Sequence, residues 1–178
     1  YDLKADVSGL WVIRFDDDAR PGDEATVVFS EGLCENGDFY LRHTGGEWRK
    51  QCDRYICGET KREFSPVFTW RAGRYIRVTG KATLVRFDVV YSPVPVTAEL
   101  ETSNENLSWF FDAYCNTQMC NIHGMIPSDC PHRERLGYTG DGQLTCDAVM
   151  TEFDAEAMYR KWIEDIKDCQ DIYTGHVQ

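Results

Sequence analysis

The sequence predicts an α+β protein, mostly β and then α, in which an antiparallel β-sandwich precedes a set of helices. Three observations carry this reading. Large apolar residues recur at every second position at Trp11, Ile13 and Phe15 and again at Val85, Phe87, Val89 and Tyr91, the period of a half-buried strand. Turn-forming pairs punctuate the same region at Pro21-Gly22, Asn36-Gly37, Gly45-Gly46 and Thr79-Gly80. After Pro93 and Pro95 the apolar period becomes that of a helix.

Taken in order, Trp11 to Phe15 mark a first strand and the β-rich run Thr26-Val27-Val28-Phe29 a second. Phe64, Val67, Phe68, Trp70, Tyr75, Ile76 and Val78 supply two more, and the run at Val85 to Tyr91 another. Many short strands at such spacing argue for a sandwich. The division between the β and α parts is placed between residues 98 and 99. Leu107, Phe110, Phe111, Tyr114 and Met119 form the stripe of a first helix, with Ser103 as its N-cap. A second helix is expected after Asp141, with Leu144, Ala148 and Val149. A third is expected after Asp154, with Met158, Tyr159, Trp162, Ile163 and Ile166 on one face. Between the first two helices lies a loop of roughly 20 residues, a length that in compact domains is usually functional or disordered.

Composition narrows the function classes. With 42% hydrophobic and 13% aromatic residues, the chain has enough apolar surface to fold, so disorder is not expected. A formal net charge of −11 repels nucleic-acid phosphates and anionic membrane surfaces but leaves a neutral ligand such as a sugar unaffected. No apolar run approaches the length of a membrane span. Of the eight cysteines, none forms a two-residue-spaced zinc pair, and Cys115 and Cys120 point about 140° apart on a helix. Most are therefore expected to be free thiols, as in a reducing setting. The start at Tyr1 and the end at Gln178 suggest a piece of a longer protein.

The long loop reads IPSDCPHRERLGYTGDGQ, from Ile126 to Gln143. It packs Asp129, His132, Arg133, Glu134, Arg135 and Asp141 into 13 residues, with Tyr138 among them. Cleavage of a glycosidic bond needs one carboxylic acid to protonate the departing oxygen and a second carboxylate to activate water or attack carbon. Carboxylates and guanidinium groups hold sugar hydroxyls through charge-assisted hydrogen bonds, and a tyrosine ring can stack on a sugar face. Arg133 and Arg135 flank Glu134 and favour its ionised form, so service as an acid requires burial, or Asp129 and Asp141, to oppose them. Each residue also has a structural alternative. Asp141 could cap the next helix, the arginines could pair with Asp129 and Glu134 in a solvated network, Tyr138 could pack a core, and His132 reads as structural. His123, His132 and Cys130 have no ordered ligand spacing, and neither a metal nor a cofactor is expected.

At this loop the sequence resembles glycoside hydrolase family 78, the bacterial α-L-rhamnosidases. The stretch SDCPHRERLGYTGD is similar to the family's Asp-Cys-Pro, Arg-Glu-Arg, Gly-aromatic and Gly-Asp signature, and FSPVFTWRAGRYIRVTG, Phe64 to Gly80, is similar to a segment of the β-sandwich preceding the family's catalytic domain. The resemblance implies a β-sandwich accessory domain over 1–98 and, over 99–178, the first helices of an (α/α)6 barrel. It implies Glu134 as general acid, Asp129, Arg133 and Asp141 as residues holding the rhamnose hydroxyls, and Tyr138 against the sugar where the family usually has Trp. It implies inversion at the anomeric centre of a terminal α-L-rhamnoside. Such a barrel needs twelve helices, where this sequence has about three, and the family's general base falls beyond Gln178. The isolated chain is therefore expected to be inactive, and to self-associate through Phe110, Phe111, Trp162 and Ile166 left without neighbours. The competing reading is a non-catalytic carbohydrate-binding or interaction module.

Overall fold

The computed structural model describes residues 1–42 and 51–177, and the turn expected at Gly45-Gly46 lies outside the described residues. The fold is α+β, with all six strands of the main sheet ahead of the first helix. The order is β1 (Asp2–Phe15), β2 (Glu24–Ser30), β3 (Cys52–Ile56), β4 (Glu63–Phe64), β5 (Arg71–Gly80), β6 (Ala82–Val89), α1 (Glu105–Asn121), β7 (Ile122–His123), β8 (Ile126–Pro127), α2 (Thr139–Glu152) and α3 (Glu156–Asp168). The chain forms two compact units, Tyr1–Val90 with Pro131–Glu134, and Tyr91–Cys130 with Arg135–Gln178.

In the first unit, β1 to β6 form one antiparallel sheet in the order β3-β2-β5-β1-β4, with β6 also on β1. All six strands belong to one hydrogen-bonded sheet. Trp11 of β1 meets Phe29 of β2 at 4.7 Å between ring centroids. Trp11, Ile13, Phe15, Ala25, Val27, Phe29 and Ile76 are buried at alternate positions and make the core. Gly80 ends β5 at a φ of 89°, where a Cβ would lie 2.2 Å from the Glu24 carbonyl oxygen, so only glycine fits this hairpin.

One alternation fails at a single residue. The pairing of β6 with β1 runs Val12↔Arg86 and then Ile13↔Leu84, skipping Val85. That β-bulge shifts the side-chain parity by one, so Leu84 and Phe87 both pack on the core while Val85 between them is exposed; Val89 and Tyr91, at the far end of the run, are exposed as well. Val67 and Phe68, expected in a strand, are exposed in the connection between β4 and β5.

In the second unit, Val94, Cys115, Ile122, Val149, Phe153, Met158, Tyr159 and Trp162 form the core. α1 is capped by Asn104, not Ser103; the Asn104 side chain accepts from the Asn106 N–H at 3.0 Å. Its apolar stripe is only partly used. Cys115, Gln118 and Cys120 are buried in the C-terminal half, whereas Leu107, Trp109 and Phe110 in the N-terminal half are exposed. α2 begins at Thr139, before Asp141, and buries Gly142 and Val149 while leaving Leu144 and Ala148 outside. α3 has the expected phase for Met158, Tyr159 and Trp162, but Ile163 is exposed. Trp162 is not among the exposed apolar residues: it is 7% exposed, because Gly142 leaves room for its ring and Tyr159 packs edge-on at 6.0 Å. Ile166 packs partly against the same core. Cys34, Cys57, Cys115, Cys146 and Cys169 are free thiols, and no helix among the described residues is long and apolar enough to cross a membrane.

Candidate active site

The signature loop is built on the β7–β8 hairpin. Gly124 and Met125 both have positive φ, 62° and 59°, as a two-residue primed turn requires. The Met125 N–H donates to Ser92 Oγ at 2.9 Å, and the Ser92 N–H to the Ile122 carbonyl at 2.9 Å, tying the hairpin to the chain ahead of α1. Ser128 then returns to Asn121 through its N–H and its Oγ, each at 2.9 Å.

His123, in this hairpin, has a pKa lowered to about 4, first by desolvation and then by the positive charge of Arg135, with a backbone hydrogen bond at Cys120 opposing. In the unfolded chain the ring returns to about 6.5, so between those values the unfolded state binds the extra proton. The contribution is complete above about pH 6.5 and is lost as pH falls towards 4. Because the ring is half-buried, solvent screening limits the loss to about 1–3 kcal/mol. Urea unfolding of the wild type and of His123→Gln at pH 4 to 7 is expected to give profiles that converge on acidification, and parallel profiles would contradict the assignment.

Asp129 closes the loop at its neck. Its N–H donates to the Leu136 carbonyl and its Oδ1 accepts from the Leu136 N–H, both at 3.0 Å, while the Cys130 thiol lies 3.1 Å from Oδ2. Arg133 and Glu134 form an ion pair, Nε to Oε2 at 2.5 Å. It is uneven in exposure: the Glu134 side chain is 13% exposed and that of Arg133 42%. The loop network weighed from sequence is thus partly real, yet it holds a carboxylate largely removed from solvent. Immediately after Glu134, Arg135 takes a left-handed φ of 57°. Such a conformation is uncommon for a non-glycine residue, and strained backbone clusters at functional sites.

Tyr138 and Asp141 belong to the start of α2. Tyr138 occupies the N-cap position without a side-chain cap, so Asp141 is not the cap but the acidic residue of the first turn, where a negative charge favours the helix dipole. Tyr138 lines a hollow of ≈ 260 Å³ with Ile126, Leu136, Gly137, Trp162, Asp165 and Ile166. Gly137 is required there, since a Cβ would lie 2.5 Å from Ile126 Cγ2. Of the five residues singled out, Arg133 and Glu134 therefore group with the sheet unit, and Asp129, Tyr138 and Asp141 with the helical unit. Sequence reasoning passed over Trp162 and Asp165 as walls of the hollow, and over Glu31, which lies 2.9 Å from His132. Only helical phase pointed to Trp162, and nothing local pointed to Glu31.

The chain is thus an antiparallel β domain followed by an acid-bearing loop and helices. Comparison with known proteins gives its family. Residues 1–93 match the bacterial alpha-L-rhamnosidase concanavalin-like domain, and residues 95–177 match the bacterial alpha-L-rhamnosidase 6 hairpin glycosidase domain. The chain belongs to the bacterial α-L-rhamnosidase family. An α-L-rhamnosidase of Formosa agariphila is 29% identical over 94% of this chain and 20% of its own length. The structure of the α-L-rhamnosidase from Dictyoglumus thermophilum superposes with a TM-score of 0.77 at 28% identity, covering 97% of this chain and 20% of that one. The Streptomyces avermitilis enzyme, solved in complex with L-rhamnose, gives 0.76 at 25% identity, covering 96% of this chain and 17% of that one. The chain thus spans about a fifth of the length of these relatives.

Proposed function

We propose that the protein containing this chain removes terminal α-L-rhamnose from rhamnose-containing glycosides with inversion, and that Glu134 donates the proton to the departing oxygen. In this reading residues 1–98 are an accessory sandwich domain and 99–178 the first part of an (α/α)6 catalytic domain. Asp129, Arg133, Tyr138 and Asp141 hold the sugar. The observation that carries it is the Glu134 carboxylate, mostly withdrawn from solvent at the centre of the family's signature loop and fixed in direction by Arg133. Rhamnosidase relatives, one of them solved with L-rhamnose, support the choice of sugar.

Inversion needs a second carboxylate on the far face of the ring to activate water. The reading takes that group from outside this chain, so the isolated chain is inactive and self-associates through the exposed Leu107, Trp109 and Phe110. The test compares the isolated chain with the full-length protein on an aryl α-L-rhamnoside. The full-length protein is expected to release the phenol and first yield β-rhamnose, seen by NMR. The chain alone is expected to show no measurable turnover and to sediment as more than a monomer. Absence of turnover by the full-length protein, with sugar binding retained, would favour a carbohydrate-binding module. Robust turnover by the chain alone would remove the claim of inactivity.

A further inference from the structure

Pro131–Glu134 is separated from the sheet by forty residues of chain, yet it belongs to the same compact unit as Tyr1–Val90. Its flanks, Cys130 and Arg135, belong to the other unit. Something must therefore hold these four residues on the sheet domain. His132 Nδ1 lies 2.9 Å from Glu31 Oε1, and both side chains are shielded, 17% and 31% exposed.

Glu31 is well placed for this task. It follows directly on β2, whose last residue, Ser30, is buried, with its Oγ 2.7 Å from the Gly32 carbonyl and 2.9 Å from that of Tyr40. The backbone leaving β2 is thereby set, and Glu31 with it. Asp6 shares the neighbourhood. Its pKa is raised to about 6, first by desolvation and next by the like charge of Glu31, against Arg74 and His132. Asp6 lies where the pairing of β1 with β5 breaks between Asp2 and Val7 and Lys4 takes a φ of 74°. Bulges of this kind re-aim side chains near functional sites. Asp6, Glu31, Arg74 and His132 thus form one electrostatic cluster, in which the imidazole is flanked by two acids. Arg74 is itself paired with Asp2 at 2.9 Å.

We propose that Glu31 and His132 form a clamp seating the Pro131–Glu134 tetrapeptide on the sheet domain, which makes Glu31 a positioning residue for the Glu134 carboxyl. This rests on the reading of Glu134 as proton donor. The sheet domain is then not merely accessory: through Glu31 it sets the aim of the acid. A misplacement of about 1 Å in a catalytic group can cost about 10²-fold in rate.

The test uses the full-length enzyme and two substrates. Phenyl α-L-rhamnoside has a poor leaving group that needs a proton, whereas dinitrophenyl α-L-rhamnoside has one that leaves unprotonated. In Glu31→Gln, kcat on the phenyl substrate is expected to fall by about 10- to 100-fold, with kcat on the dinitrophenyl substrate nearly unchanged and KM for both little altered. His132→Asn is expected to behave alike and carries the same test should the Glu31 variant fail to fold. Equal losses on both substrates, or no loss on either, would overturn the clamp. Glu134→Gln calibrates the pair. If it discriminates between the substrates and Glu31→Gln does not, the clamp alone fails; if Glu134→Gln does not discriminate, the acid assignment fails and the clamp falls with it.

Discussion

Glu134→Gln in the full-length enzyme is expected to lower kcat on phenyl α-L-rhamnoside by about 10²–10⁴-fold, the usual worth of a positioned general acid. At about 1.4 kcal/mol per decade, this corresponds to about 3–5 kcal/mol of transition-state stabilisation. The amide matches the carboxylate in size, and its oxygen can still accept from Arg133 Nε, so the loop should keep its shape and KM should change little. What the amide lacks is a transferable proton. The deficit is therefore expected to shrink on a substrate whose leaving group departs unprotonated. Unchanged turnover of the phenyl substrate by Glu134→Gln would refute the acid role outright. An equal loss on both substrates, with a lowered unfolding midpoint, would reduce Glu134 to a structural ion pair.

The second large effect is on stability, at the contact between α2 and α3. Trp162→Ala is expected to destabilise the chain by about 3–5 kcal/mol, as for other large aromatic residues removed from cores. Its partner inverts a familiar rule. In an exposed helix, Gly→Ala gains about 1 kcal/mol. At Gly142 the added Cβ would lie 2.2 Å from Trp162 Cη2 and 2.7 Å from Cζ2, so the ring or the helix must move. Gly142→Ala is accordingly expected to cost about 1–3 kcal/mol. Combined with Trp162→Ala the same change should become neutral or favourable, since the obstructing ring is gone. Urea unfolding of the two single variants and the double variant measures this directly. A stabilising Gly142→Ala in the wild-type background would show that the ring does not lie over α2. Because Gly142 follows Asp141 in the first turn of α2, such a shift would also disturb the part of the site that this helix presents.

Much of the architecture could be read along the chain because the signals were local. Trp11, Ile13 and Phe15 alternate and are buried together, and Met158, Tyr159 and Trp162 share a helical face and a core. Failures came where a second segment decided the outcome. Val85 kept its apolar character but lost its place when the bulge opposite Val12 and Ile13 reversed the parity of β6. Phe110 kept its helical phase but is 63% exposed, because the buried residues of α1, Cys115, Gln118 and Cys120, lie in its C-terminal half. Asp141 carries the residue type of a cap, yet α2 starts before it, at Thr139.

The same division holds for the site. Its chemistry is written in one short stretch, in which carboxylates, guanidinium groups and a tyrosine ring lie close in sequence, so their types and the family they resemble were evident from the residues. Their division between the two compact units was not. That Glu134 is withdrawn from solvent, that Asp129 Oδ1 accepts from the Leu136 N–H at the loop neck, and that His132 meets Glu31 about a hundred residues earlier in the chain all depend on segments that approach only after folding. Backbone geometry imposes short periods that any reader of the chain can detect. Burial and electrostatic partnership are set by whichever distant residues come to share the same space, and no short window of sequence records that choice.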